Sequence, residues 1–156
     1  MRILVVSDSH GDYNSLKKAI ASQPTAEVIV HCGDGAKEVE SLTTDFPEKK
    51  IIAVRGNCDW SSMLPPVQTV SVGGKTLFIT HGHMFQAKFT PYQMICAARE
   101  NKADILLYGH THCAANEYDD GLYIMNPGSC HGYGATYGYI DITDKGDIVT
   151  NIVSIK

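Results

Sequence analysis

The stretch MRILVVSDSH, residues 1–10, decides the fold. Its four aliphatic residues, Ile3–Val6, predict a strand buried on both faces, because a strand with one solvated face alternates apolar and polar residues. Asp8 and His10 follow this run, and both members of such an i, i+2 pair project to one side of an extended backbone. The stretch therefore predicts a buried strand that is followed, at its carboxyl end, by two polar and ionisable side chains.

The next fifty residues predict alternating helices and strands. Further aliphatic runs at residues 28–30 and 51–54 indicate two more buried strands. Apolar residues at helical spacing lie between the three strands: Leu16, Ala19 and Ile20, capped by Asp12 or Asn14, and then Val39, Leu42 and Phe46. A βαβαβ order favours parallel pairing through right-handed crossovers.

The second half predicts antiparallel hairpins. Their strands are 67–72 with 76–80, 116–118 with 122–125, and 139–143 with 148–155, each pair joined by a glycine-containing turn. Between the first two hairpins, a helix is predicted from Thr90, its cap, through Pro91 to about Lys102, followed by a buried strand at 105–108. The predicted fold class is α/β, with two packed mixed sheets flanked by about three helices.

Length and composition narrow the class of protein. The 156 residues, 44% apolar and 19% charged, predict one globular domain spanning 1–156. The net charge of −4, without a basic cluster, argues against non-specific nucleic-acid binding. No apolar run approaches the ~20 residues of a membrane span. The first apolar run has only four residues and is followed by Ser7 and Asp8, so it is too short for a signal peptide. Five scattered cysteines indicate reduced thiols, and we expect a cytoplasmic location.

Polar motifs follow five of the predicted strands, at the edge where α/β sheets bind ligands. These motifs are Asp8-x-His10, Gly33-Asp34-Gly35, Gly56-Asn57-Cys58-Asp59, His81-Gly82-His83 and Gly109-His110-x-His112. Each motif taken singly is typical of a turn or of a structural histidine, but five in order are hard to assign to chance. Imidazole, carboxylate and amide groups suit first-row divalent metals, and seven such ligands are too many for one ion. Two ions that share a bridging carboxylate fit better.

In this order, the motifs resemble those of the calcineurin-like metallophosphoesterase superfamily. The short chain, the Gly-Asn-Cys-Asp form and the late Asn126-Pro127-Gly128-Ser129 segment resemble its small YfcE-type phosphodiesterases. The resemblance implies a four-layer α/β/β/α sandwich with a dinuclear site. It implies that Asp8, His10 and His112 hold one ion, that Asn57, His81 and His110 hold the other, and that Asp34 bridges them. Asn57 and His110 are also expected to act in catalysis.

The resemblance further implies hydrolysis of a small phosphate ester, most simply a phosphodiester, by in-line attack of metal-bound hydroxide. Two divalent ions contribute a charge of +4, two aspartates −2 and a hydroxide −1, so the net charge of the cluster is near +1. An acidic protein can therefore still offer a positively charged site for phosphate. The ligand set favours ions that accept imidazole over Mg²⁺. We expect Mn²⁺ first, with Ni²⁺, Co²⁺, Zn²⁺ and Fe²⁺ as alternatives. A homo-oligomer is left open.

Cys58 departs from the wider superfamily, in which a histidine commonly occupies this position. A thiol with a pKa of about 8.5 is a weaker acid catalyst near neutrality than imidazole. Asp59 and His83 are weaker candidates for catalysis. His31 is interpreted as strand-end structure and His131 as a loop residue. Residues 63–66, after Trp60, form an apolar stretch that ordinary packing also explains.

Two other functions compete with a phosphoesterase. One is a non-catalytic, metal-binding interaction scaffold of the same fold, like the retromer subunit, although a scaffold predicts eroded ligands and all seven positions are filled here. The other is a thiol enzyme that uses Cys58, although no histidine is placed locally to activate it.

Overall fold

The computed structural model describes all 156 residues, in ten strands and three α-helices. In chain order the elements are β1 (Arg2–Val6), α1 (Tyr13–Ser22), β2 (Ala26–His31), α2 (Ala36–Asp45), β3 (Lys50–Ala53), β4 (Val67–Val72), β5 (Lys75–Thr80), α3 (Tyr92–Glu100), β6 (Ile105–Leu107), β7 (Ala115–Asp119), β8 (Leu122–Asn126), β9 (Thr136–Ile142) and β10 (Ile148–Ser154). A short 3₁₀ turn, His83–Phe85, follows β5. None of the helices exceeds ten residues, so none is long and apolar enough to cross a membrane.

The strands form two mixed sheets, as predicted, and each sheet has five strands. The first has the order β10-β9-β1-β2-β3, with β1, β2 and β3 parallel and β9 antiparallel to β1. The second has the order β4-β5-β6-β8-β7, with β5, β6 and β8 parallel and antiparallel strands at both edges. The last hairpin, β9–β10, joins the first sheet, which makes β1 its central strand.

Alternation along β1 explains the four layers. Ile3 and Val5 point into the core between the two sheets, whereas Leu4 and Val6 pack against the first pair of helices, and all four are fully buried. On the outer face of the second sheet, Met94 of α3 covers a separate apolar cluster. The α/β/β/α sandwich is therefore confirmed, and it explains why the first strand reads as an unbroken aliphatic run.

The helix ends agree with the sequence at α1 and differ at α3. Asp12 caps α1, since its Oδ1 accepts a hydrogen bond from the Ser15 amide at 3.0 Å. Helix α3 begins at Tyr92, one residue after the predicted start, and ends at Glu100 rather than near Lys102. The reason for the earlier end is that Lys102 adopts a left-handed φ of 54°, which helical geometry does not allow.

Candidate metal centre

The carboxyl ends of strands from both sheets meet at one edge of the sandwich, and the predicted side chains converge there. Asp8 follows β1, Asp34 follows β2, Asn57 follows β3, His81 follows β5, and His110 and His112 follow β6. Asp8 and His81 are fully buried and form the floor of this edge. His112, with its side chain half exposed, and His10 form the mouth.

One oxygen of Asp8 is buried without any hydrogen-bond donor. Its Oδ2 accepts hydrogen bonds from the Ser7 hydroxyl at 2.6 Å and the His110 amide at 3.0 Å. Its Oδ1 has no partner, although the Nε2 atoms of His112, His10 and His81 lie 3.1, 3.7 and 3.9 Å away. A buried, unpaired carboxylate oxygen is costly, and a bound cation removes that cost.

Asp34 lies between the two sides of the cluster. Its Oδ1 accepts a hydrogen bond from the Cys58 amide at 2.8 Å. Its Oδ2 lies 3.3 Å from Nε2 of His81 and 3.8 Å from Nε2 of His10. Burial opposes ionisation, but hydrogen bonds from His81 and from Cys58 hold the pKa of Asp34 well below its usual range. An ionised Asp34 therefore faces both sides of the cluster.

The hydrogen bonds of His81 point its free nitrogen into the cluster. Nδ1 lies 2.8 Å from the Cys32 carbonyl oxygen, so it carries the hydrogen and donates it. Nε2 lies 3.0 Å from Oδ1 of Asn57 and faces the two carboxylates. Burial lowers the pKa of His81, but Asp34 and Asp8 outweigh it and raise the pKa overall, because they favour a cation at Nε2. The donor set thus fits divalent metals that accept imidazole and carboxylate.

Five residues of the cluster have left-handed backbone conformations, which the sequence did not reveal. The φ angles are 53° at Asp8, 43° at His10, 58° at Asp34, 68° at His110 and 58° at His112. The extended backbone expected for Asp8 and His10 is therefore wrong, and His110 and His112 are not extended either. The Asp8 and His10 side chains still lie close together, with Oδ1 of Asp8 3.7 Å from Nε2 of His10. Such conformations cost about 1–3 kcal/mol each and tend to cluster at functional sites.

At two glycines of the motifs, the lack of a side chain lets neighbouring atoms approach the backbone closely. A Cβ atom at Gly56 would overlap Oδ1 of Asp34, and one at Gly109 would overlap the Ser7 hydroxyl. Neither glycine has a positive φ. Glycine is required at both positions because the neighbouring loops carry the candidate ligands within contact distance of the backbone.

Comparison with known proteins identifies the family. The model of the calcineurin-like phosphoesterase superfamily domain matches residues 1–145. The chain belongs to this superfamily. The resemblance drawn from the motifs is confirmed.

Two bacterial relatives illustrate its place in the superfamily. YsnB of Bacillus subtilis, a probable metallophosphoesterase, is 36% identical over 132 positions, covering 83% of this chain and 75% of its own. The phosphodiesterase YfcE of Escherichia coli is 31% identical over 170 positions, covering 90% of this chain and 88% of its own.

Solved structures share the fold over the whole chain. An archaeal phosphodiesterase superposes with a TM-score of 0.77 at 26% identity, covering 98% of this chain and all of that one. Vps29 of Entamoeba histolytica, complexed with Zn²⁺, superposes with a TM-score of 0.75 at 20% identity over the full length of both chains. The second match shows a common fold alone.

In this metallophosphoesterase, His110 and His83 lie beside His81. The ring of His110 is centred 4.9 Å from that of His81, and burial and the His81 charge lower the pKa of His110 to about 4. The His83 ring is centred 5.4 Å from that of His81, and its Nδ1 is buried without a partner. Burial also lowers the pKa of His83. Both imidazoles are therefore neutral near pH 7, and both border the cluster.

The carboxylate of Asp59 is occupied by backbone amides. Oδ2 accepts hydrogen bonds from Asp34 at 2.8 Å and Gly56 at 2.7 Å, and Oδ1 accepts one from Ala36 at 3.0 Å. These bonds fix the Asp59 carboxylate against the backbone of residues 34–36 and 56. We therefore interpret Asp59 as a positioning residue that fixes the loop of Asp34.

Cys58 is exposed at the edge of the candidate metal centre. Its thiol comes close enough to His10 and Asp34 to form a candidate metal group with them. Burial and the Asp34 carboxylate raise the pKa of the thiol. Because a thiolate is the reactive form, this environment disfavours Cys58 as a nucleophile.

A buried hydrogen-bond chain behind the cluster was missed by the sequence analysis. Nδ1 of His31 accepts a hydrogen bond from the Gly33 amide at 3.2 Å, so its Nε2 donates to the Ser9 hydroxyl at 3.0 Å. Ser9 donates to Oε1 of Glu38 at 2.9 Å, which also accepts from the Gly11 amide at 2.5 Å. The chain ties the loop of Asp8 and His10 to the loop of Asp34. No local sequence pattern signals this chain, and the structure alone shows that Glu38, in the first turn of α2, is buried.

His131 lies at the margin of the site. Its side chain is about half exposed, its Nδ1 is 4.0 Å from Oδ2 of Asp12, and its ring is centred 6.2 Å from that of His10. It belongs to a loop, as the sequence suggested.

Proposed function

We propose that this metallophosphoesterase is a dinuclear-metal enzyme that hydrolyses phosphodiesters. The observation that carries the proposal is the buried, unpaired Oδ1 of Asp8, which faces three imidazole nitrogens. Beside it, the ionised Asp34 faces histidines on both sides. This arrangement calls for positive charge at two neighbouring positions.

The proposed ligands divide into two groups around Asp34. Asp8, His10 and His112 hold one ion, which is supported by their mutual proximity as a candidate metal group. Asn57, His81 and His110 hold the other, which is supported by the 3.0 Å approach of Asn57 to His81 and the adjacent His110 ring. Asp34 is shared. We propose Mn²⁺ as the native ion, with Ni²⁺, Co²⁺, Zn²⁺ and Fe²⁺ as alternatives that suit the same ligands.

The residues around the ions organise the reaction. When bound, such an ion pair acidifies water towards a pKa of ~7 and stabilises both the attacking and the leaving oxygen in an in-line displacement. Asp34, held by the Cys58 amide, keeps its carboxylate between the two sides. Asp59 holds the Asp34 backbone in turn. Neutral His110 keeps a ring nitrogen available for coordination near pH 7.

Cys58 shapes the preference for substrates. It occupies the position at which many members of the superfamily carry an imidazole, and its thiol has a raised pKa. Protonation of a poor leaving group is therefore weak, so phosphodiesters with good leaving groups are the preferred substrates.

A non-catalytic scaffold is the second candidate function. The Vps29 protein of Schizosaccharomyces pombe is 38% identical over 79 positions, about half of this chain. The exposed Trp60 and Met63 side chains offer an apolar surface for a partner. Because a structure of Vps29 with Zn²⁺ exists, metal binding alone does not separate the two functions, whereas hydrolysis does.

The deciding experiment is a panel of phosphomonoesters, phosphodiesters and nucleotides, assayed in turn with Mn²⁺, Ni²⁺, Co²⁺, Zn²⁺ and Mg²⁺. We expect diester hydrolysis that needs metal and is fastest with an ion that accepts imidazole. Asp8→Asn is the matched control for a contaminating phosphatase. Equal rates in this variant, or no hydrolysis of any ester with any ion, would refute the enzyme and favour the scaffold.

The remaining physical properties support a small-molecule phosphate ester as the partner. The net charge of −4 disfavours non-specific nucleic-acid binding. All five cysteines are free thiols, which supports our proposal of a cytoplasmic location.

A further inference from the structure

A cleft of about 620 Å³ opens from the candidate metal centre and runs away from it along helix α2. His10, Asp34 and Cys58 line its inner end. Its outer walls are the first turn of α2 and the segment 59–62. The cleft is therefore adjacent to the place where the proposed metal centre would hold a phosphate. Ligand sites commonly occupy about 300–1,000 Å³, so the cleft has room for a group much larger than phosphate.

Trp60 gives the cleft its only large aromatic surface. Its side chain is 92% exposed although it lines the cleft, and it is the single tryptophan of the chain. A solvent-exposed indole beside an open cleft is available to stack on a flat ring, because the protein buries neither of its faces. Stacking requires a ligand with an aromatic ring.

The charges of the cleft argue against a second anionic group. Among the carboxylates, Glu38 and Asp59 accept the hydrogen bonds described above, whereas the Glu40 side chain is exposed and has no partner. Lys37 is the one lysine or arginine of the lining. The outer cleft is thus acidic overall and carries free polar groups at Lys37, Glu40 and Ser61, which suits hydroxyl and amide groups of a neutral ligand.

We propose that this cleft binds one ester group of the substrate and that it takes a neutral alcohol bearing a flat ring, of nucleoside size. The inference rests on the proposed phosphodiesterase function, because the metal centre places the phosphate. Trp60 stacks on the ring, and the free polar side chains contact the sugar or ring substituents. Trp60 is therefore a specificity residue for the retained or the leaving group.

Tryptophan fluorescence tests the proposal without turnover. Metal-loaded protein is mixed rapidly with thymidine 5′-monophosphate, the product expected from a thymidine diester, and with methyl phosphate, which has no ring. We expect saturable quenching by the nucleotide and none by methyl phosphate, because the only fluorescing indole lies in the cleft.

Kinetics with thymidine 5′-(p-nitrophenyl) phosphate provide the second arm. Trp60→Ala should raise KM about tenfold, since stacking on one aromatic side chain is worth roughly that much or more per base, and should change kcat less than KM. Trp60→Phe should restore most of the affinity. Phe89→Ala is the matched control, because Phe89 is 89% exposed but lies outside the cleft lining, and its KM should equal that of the wild type.

The outcomes separate this inference from the function on which it rests. If the wild type shows no metal-dependent diester hydrolysis, the proposed function fails. If it hydrolyses the diester, while Trp60→Ala keeps the wild-type KM and the nucleotide quenches no more than methyl phosphate does, the cleft proposal alone is overturned.

Discussion

The Nε2 atoms of His10 and His112 lie 3.3 Å apart, although 102 residues separate them in sequence and each belongs to a loop of a different sheet. Their rings are tilted at 53° to each other. Both nitrogens also point towards the same unpaired oxygen of Asp8. The candidate metal centre is therefore a junction between the two sheets, and bound metal should couple them.

The first prediction compares the proposed shared ligand, Asp34, with a proposed ligand of one ion, His112. Asp34→Asn should weaken both metal positions, because the Asp34 carboxylate faces histidines on both sides and its charge offsets the repulsion between ions. His112→Ala should weaken one position. Calorimetric titration of Mn²⁺ into both variants measures the effect, and two tight sites in Asp34→Asn would rule out a bridging role.

The second prediction concerns the buried hydrogen-bond chain. Glu38→Ala removes the acceptor for Ser9 and Gly11, so the two ligand loops should lose their alignment. Metal affinity should fall by about 10–100-fold, as is common when a residue that orients metal ligands is replaced. Glu38→Gln keeps an acceptor oxygen and should restore most of the affinity.

Glu40→Ala, an exposed change on the same helix, is the control for Glu38→Ala. Its metal affinity should match that of the wild type. If Glu38→Ala binds metal normally at a temperature where it remains folded, the chain only supports the fold and does not position the ligands.

How much of this arrangement could be predicted from sequence depends on the range of the interactions. The buried strand Ile3–Val6 follows from a local pattern and was predicted correctly. Asp12 was one of the two caps that the sequence offered for α1, and the structure decides between them. The motif order identified the family. Local patterns also predicted the glycine turns of the hairpins, because a turn is determined by its own few residues.

The left-handed turns and the hydrogen-bond chain could not be predicted in this way. Ser9 contacts His31 and Glu38 across 22 and 29 residues, and these contacts exist only once β1 and β2 pair in register. The left-handed φ of Asp8 is unfavourable locally and persists because its side chain and amide are hydrogen-bonded to neighbouring loops. Tertiary contacts decide both features.

The third prediction addresses Cys58. Cys58→Ser should keep most of the activity on aryl phosphodiesters, whose leaving groups depart without protonation. Cys58→His should improve hydrolysis of alkyl phosphomonoesters more than that of aryl diesters, because only the former need an acid. Acid–base assistance is worth ~10²–10⁴-fold, so even a partial gain is measurable in steady-state rates.

Two results would change the interpretation of Cys58. Loss of all activity in Cys58→Ser with both ions still bound would revive the thiol nucleophile. An unchanged substrate preference in Cys58→His would show that this side chain does not face the leaving group.

The fourth prediction concerns stability alone. Asp12→Ala should lower the free energy of unfolding by about 1 kcal/mol or more through loss of the cap of α1, since Asp12 also accepts hydrogen bonds from the Ser15 hydroxyl and the Gly132 amide. For a chain of this size, that corresponds to a fall in Tm of about 2–4 °C per kcal/mol. Asn14→Ala, the neighbouring exposed residue that does not cap the helix, should leave Tm nearly unchanged in calorimetry. Equal losses in the two variants would contradict the assigned cap.

The most direct test of the proposed dinuclear phosphodiesterase is a titration of metal-free protein with Mn²⁺ while hydrolysis of bis(p-nitrophenyl) phosphate is followed. The protein concentration is kept well above the dissociation constants. We predict that the rate rises and then breaks to a plateau at two equivalents of Mn²⁺ per chain. A plateau at one equivalent, or full hydrolysis in the presence of excess chelator, would contradict the account.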